Sequence, residues 1–149
     1  MTPAEGGRAL VLDTNVALDL LLFEDLGTAV LREALQQRRL RWLVSPAMRA
    51  EFVRVLDYPQ LAAWRSAHGR SAQALCAAFD AWSHVVDAAP ACAVPCADPD
   101  DQPFIDLAVA HRAVLLSKDQ AVLAPRARLA ALGVDVSQQL VTNSVPSPA

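Results

Sequence analysis

The chain has 149 residues, 54% of them hydrophobic and only 5% aromatic, with a formal net charge of −3. This length fits one domain with room for a sizeable core of aliphatic side chains and alanine. It holds no apolar run near the roughly 20 residues a bilayer span needs, and its charge offers no bulk attraction for nucleic acid.

The opening Met1-Thr2-Pro3-Ala4-Glu5-Gly6-Gly7 lacks a signal-peptide pattern. A cytoplasmic protein with no membrane partner is therefore expected. Arg8 to Leu12 reads as a buried strand, and a short helix follows from Asn15. A second helix is expected from Leu26 to Gln37. It ends before the basic cluster Arg38, Arg39 and Arg41, and Arg41 to Val44 is the next strand. Ser45 then caps a helix with Pro46 in its first position. Tyr58-Pro59 breaks that helix, and Gln60 to Ser66 forms another short one. After the turn His68-Gly69-Arg70, Ser71 caps a helix running to Ser83. Val85-Val86 is a short strand and Ala88 to Ala97 a loop. Asp100 to Arg112 is helical, Ala113 to Ser117 a strand, and Gln120 to Leu123 and Pro125 to Leu132 are short helices. Gly133 ends the last of these, and Val134 to Val136 is the final strand. Residues 1–143 are expected to form one domain, and residues 144–149, with Pro146 and Pro148, a disordered tail. Alternating strands and helices imply an α/β fold with a parallel sheet covered on both faces.

Three cysteines, Cys76, Cys92 and Cys96, form an odd set that argues for free thiols. His68, His84 and His111 are scattered without metal-ligand spacing. Arg126 with Arg128 makes a second basic cluster. Solvated helix ends explain both basic clusters most simply.

The acids are more informative. Asp13-Thr14-Asn15 stands where the first strand stops, and Ser117-Lys118-Asp119 where a later strand stops. Leucines cannot satisfy a carboxylate, so Asp13 belongs at the rim of the core. In an open α/β sheet that rim, at the carboxyl ends of the strands, is where ligands bind. Asp13 has no evident structural duty there. Glu51 shares a helix face with Met48, Phe52 and Val55, an anomaly that asks for a partner. Asp98 and Asp100 read as structural acids at a helix start, with Asp98 as cap before Pro99. Asp101 stands on a face with Phe104, Ile105 and Ala108, and the local pattern leaves it open between helix-start acid and ligand. Asp119 can cap the helix from Gln120. Asp19, Asp25, Asp57, Asp80, Asp87, Asp106 and Asp135 read as surface or turn residues. Several carboxylates gathered at one sheet edge are a means of holding a hard divalent cation.

Four segments together carry a resemblance: Val11-Leu12-Asp13-Thr14-Asn15-Val16, Ser45-Pro46 through Glu51, Asp98-Pro99-Asp100-Asp101-Gln102-Pro103-Phe104, and Leu116-Ser117-Lys118-Asp119. They resemble the PIN domain, in particular the toxin branch of bacterial type II toxin–antitoxin systems, from about Ala9 to Val136. The resemblance implies a three-layer α/β/α sandwich, PIN-like and Rossmann-like, with a central parallel sheet. It implies an endoribonuclease dependent on Mg2+ or Mn2+, with RNA as substrate, a cognate antitoxin as partner and a homodimer as a further assembly. Carried over by position, the four acids fall on Asp13, Glu51, Asp101 and Asp119, all catalytic and metal-binding. Thr14, Asn15 and Ser117 fall on supporting polar positions. Leu18 to Phe23 and the Trp64 and Trp82 segments offer apolar surface for a partner.

Two other readings stay open from the residues. A haloacid-dehalogenase-like phosphatase would use Asp13 as nucleophile, but normally has a second Asp where this chain has Asn15. A non-catalytic PIN-like module would bind RNA or protein without cutting it.

Overall fold

The computed structural model describes residues 7–140. The expected tail, residues 144–149, and both ends of the expected 1–143 domain lie outside the described residues. Five strands form one all-parallel sheet: β1 (Arg8–Leu12), β2 (Leu40–Val44), β3 (Ser83–Val85), β4 (Val114–Leu116) and β5 (Asp135–Ser137), in the order β3-β2-β1-β4-β5. Leu10 is the centre of the register, paired with Trp42 on one side and Val114 on the other.

Parallel neighbours need crossovers, and right-handed crossovers decide which face each helix covers. From β1 to β2 to β3 the chain steps one way, carrying α1 (Thr14–Leu21), α2 (Ala29–Gln36), α3 (Pro46–Val55), α4 (Pro59–His68) and α5 (Ala72–Trp82) onto one face. It then returns past β1 and steps the other way, placing α6 (Gln102–His111), α7 (Gln120–Leu123) and α8 (Arg126–Ala131) on the opposite face. The result is the three-layer sandwich. The chain direction reverses beside β1, so the crevice at the carboxyl ends of β1 and β4 is the natural ligand site.

Local chemistry sets the helix ends. The Ser45 and Ser71 hydroxyls accept from the Met48 and Ala74 N–H groups at 3.3 and 3.1 Å, as their sequence positions lead one to expect. Gly69 ends α4 in the left-handed conformation, φ 64°, which glycine adopts without a Cβ clash. Arg70 beside it donates to the Leu21 and Leu22 carbonyls at 2.8 and 3.1 Å and pairs with Glu24. The open carbonyls at the end of α1 are thereby satisfied from the far side of the α4–α5 excursion.

The core is aliphatic, as the composition requires. Leu10, Val11, Leu43, Leu115 and Leu116 fill the sheet, and Trp42 with Phe52 and Phe79 makes an aromatic cluster under α3 and α5. Leu18 and Leu20 to Leu22 are buried too, which corrects the expectation that Leu18 to Phe23 is partner surface. Helix α1 lies against α3, α5 and β1, so its leucines face protein on several sides. Each such leucine contributes about 1.5–3 kcal/mol by burial. Phe23 alone of this stretch reaches solvent, edge-on to Trp64. Trp64 stacks on His68, and Trp82 lies under the Arg32 guanidinium. The three cysteines are free thiols.

Candidate active site

Strand β1 runs straight into Asp13, whose N–H continues the ladder to the Leu116 carbonyl at 3.1 Å. Its backbone is extended while the next residues turn into α1, so its side chain folds back as the helix cap. Oδ1 accepts from the Val16 N–H at 2.8 Å and Oδ2 from the Ser117 hydroxyl at 2.5 Å. Asp13 therefore does have a structural duty, contrary to the sequence reading, because α1 follows β1 with no spacer. Burial nevertheless pushes its carboxyl above the usual range, against the hydrogen bonds from Ser117 and Val16, with Asp119 and Asp19 adding repulsion.

Ser117 is wholly buried at the end of β4. It donates to Asp13 and accepts the Asp119 N–H at 3.0 Å. One hydroxyl thus sets both the Asp13 carboxylate and the turn that carries Asp119. Asp119 caps α7 through the Ala121 N–H at 2.9 Å, which holds its carboxyl below the usual range, with a further contribution from Asp101. Glu51, from the middle of α3, finds its partner in the Thr14 hydroxyl, which donates to Oε2.

The third element of the site is the entry to α6. Asp98 caps a single 3-10 turn, Pro99–Asp101, by accepting the Asp100 N–H at 2.9 Å. That turn delivers Asp101 to the first position before α6. Asp98, Asp101 and Asp119 each present a carboxylate oxygen, and these three atoms lie within 4.8 Å of one another. Asp101 Oδ2 is buried with no hydrogen-bond donor among the described residues. Burial first, then Asp119, and then the charges of Asp98 and Asp13 push the Asp101 carboxyl up to about 7.

Asp13, Thr14, Asn15, Glu51, Asp101 and Asp119 line one cavity of about 230 Å³. All four acids singled out from the sequence thus reach the same space. The tight group, however, is Asp98 with Asp101 and Asp119; Asp13 and Glu51 stand outside it on the cavity wall. Asp98, like Asp100, reads from the sequence as a mainly structural acid. It keeps that capping role and joins the group as well. The available signal was its spacing: an acid three positions before Asp101 across one helical turn. Asp100 is exposed and outside the group.

Asp106 corrects another expectation. It is buried rather than at the surface, and its Oδ1 accepts from the Cys92 N–H at 3.1 Å and Gln102 Nε2 at 2.9 Å. The loop before α6 lies back over that helix, so its backbone needs an acceptor there. Asp19, also read as a surface residue, is largely covered and pairs with Lys118 at 2.6 Å.

Three convergent carboxylate oxygens suit a hard cation with oxygen ligands, and Asp101 also has a buried oxygen without a donor among the described residues. Burial and then the neighbouring like charges raise the pKa of Asp101. A family described as "PIN domain" matches residues 9–121 of the chain. No curated protein and no solved structure matches it.

Proposed function

The chain belongs to the PIN-domain family, and from that premise we propose that it is a Mg2+- or Mn2+-dependent endoribonuclease, the toxin of a toxin–antitoxin pair acting in the cytoplasm. PIN domains are generally nucleases and usually use divalent metal ions. The observation that carries the reading is the Asp98–Asp101–Asp119 group with its unpartnered Asp101 oxygen. These three carboxylates would hold the ion. When bound, it supplies a water of lowered pKa and positive charge against the phosphate.

The chain's other residues have distinct tasks in this reading. Asp13 holds Ser117, and Ser117 holds the Asp119 turn, so the ligand set is fixed from β1 and β4 together. Thr14 fixes Glu51 through Oε2. Glu51 Oε1 then orients the attacking water. No covalent step is needed. Both Asp13 oxygens already accept hydrogen bonds, and Asn15 occupies the position of a phosphatase's second acid. These features weigh against Asp13 as a nucleophile.

The test is incubation of the purified chain with structured RNAs in Mn2+, Mg2+ or EDTA. Cleavage with either ion, absent in EDTA and in Asp101→Asn, is the expected result. RNA binding without cleavage would instead identify a binding module, and hydrolysis of an aryl phosphate a phosphatase. Growth arrest on induced expression, relieved by Asp101→Asn or by a co-expressed antitoxin, tests the toxin role.

A further inference from the structure

The acids are only part of the cavity lining. The apolar part is made of Leu18 of α1, Val55 of α3, Tyr58 and Leu61 around the start of α4, and Phe104 of α6. Of the two aromatic rings in this lining, Phe104 is 4% exposed and Tyr58 is 50% exposed. Tyr58 is therefore the ring that an incoming ligand can reach.

Its backbone is tied down. The Tyr58 N–H donates to the Val55 carbonyl at 3.0 Å, and its own carbonyl accepts the Ala62 N–H at 2.8 Å. Pro59 confines it to the extended region, where it lies at φ −61°, ψ 141°. A half-exposed tyrosine on a rigid corner holds its ring ready for a ligand in the cavity. It also loses little conformational freedom on being covered, since only two side-chain torsions are involved.

We propose that this apolar part of the lining is a nucleobase subsite, in which an unpaired base flanking the scissile phosphate stacks on Tyr58 above Leu18, Val55 and Leu61. The inference rests on the ribonuclease reading of the acids. A phosphodiester placed at those acids brings its own nucleoside into the same small space. A cavity of about 230 Å³ has room for a single base beside the acids. A paired base, stacked on both faces inside a helix, has no face to offer Tyr58. Every unpaired base does have such a face, so the subsite selects single strands and loops with little preference for sequence. An apolar peptide would match the ring but would leave the acids without a phosphate.

Tyr58 is the one tyrosine of the chain, so a ring-labelled sample gives a single tyrosine NMR signal. The probe is a mixed-sequence oligoribonucleotide about ten nucleotides long, within the site sizes of single-strand binders. Ca2+ replaces the reactive ion to hold the phosphate. The expected result is an upfield shift of the Tyr58 signal with the single strand and none with the same RNA annealed to its complement. Tyr58→Ala should weaken binding by about tenfold, the size of one lost stacking contact, and Tyr58→Trp should restore it. Unchanged affinity in Tyr58→Ala, an equal shift with the duplex, or RNA that fails to bind overturns the subsite. A shift in a protein that never cuts RNA supports the subsite and removes the nuclease reading, so the two failures are distinguishable.

Discussion

Two corners of one cavity treat a buried carboxylate in opposite ways. Asp13 has a donor for each oxygen, Val16 N–H and Ser117 Oγ. Asp101 has a buried oxygen with no donor and stands among other carboxylates. Both carboxyls are raised by burial, but at Asp13 the hydrogen bonds from Ser117 and Val16 oppose the rise, whereas at Asp101 every neighbour adds to it. The Asp13 corner is complete within the fold, whereas in the proposed reading the Asp101 corner would be completed by a cation.

The largest expected effect follows from that contrast. Asp101→Asn should reduce RNA cleavage by more than the roughly 10–100-fold that loss of a supporting residue costs at a metal site. Asp106→Asn, which keeps the Oδ1 acceptor for Cys92 and Gln102, should stay within a few-fold of the unsubstituted rate. Similar losses in both would erase the distinction between the two acids of this segment.

Next comes metal-dependent stability. Mn2+ at a hundredfold excess over its dissociation constant should stabilise the protein by about 2.7 kcal/mol, read as a shift in the urea midpoint. Asp101→Asn should lose most of that shift. A substituted protein with the full shift would show that the ion sits elsewhere.

The Asp13 corner should answer differently. Asp13→Ala removes a cap and strands the Ser117 hydroxyl, at a cost of about 1–3 kcal/mol even without metal. Asp13→Asn keeps the acceptor for Val16 and gives Ser117 a donor, so apo stability should hold or rise. Chemical denaturation in EDTA compares the two, and a large loss in Asp13→Asn would mean that the charge itself stabilises the corner.

The smallest effect is in the pH dependence of the apo protein. Asp101 titrates near 3.9 when unfolded and at about 7 when folded. The folded state therefore holds more protons between those values. Stability from this group is fully present below the lower one and is lost as pH rises through the upper one. Asp101→Asn should flatten that decline in urea midpoints measured in EDTA. Solvent access to Asp101 keeps the slope modest. A steeper decline in the substituted protein would reverse the assignment.

Features written in a few adjacent residues were legible from the sequence. The caps at Ser45, Ser71 and Asp98, the turn at Gly69 and four of the five strands are of this kind; β3, expected at Val85-Val86, lies at Ser83–Val85, where α5 gives out one residue earlier than expected. Asp13 and Glu51 stood out because each breaks a local apolar pattern, whereas Asp101 and Asp119 were singled out only through the family resemblance; all four line one cavity. What the sequence hid depends on chain returning from afar. Nothing near Asp106 announces that the Cys92 amide will need it. Nothing near Asp98 announces that Asp119 will approach it. The leucines of α1 read as a patch because α5, which covers them, is written some fifty residues later.

The bond from Ser117 to Asp13 joins residues 104 positions apart. It has a consequence in time. A chain emerging from a ribosome presents Asp13 early, but the strand that pairs with β1 on the catalytic side is β4, and Asp119 follows it. Until that stretch has been made and the long loop has closed, the acids have no common cavity, and non-local pairings of this kind form late. Fragments that stop before β4 lack both Ser117 and Asp119. The cavity therefore comes together only once the segment bearing these two residues has been made, and a cut by this site would have to wait for it.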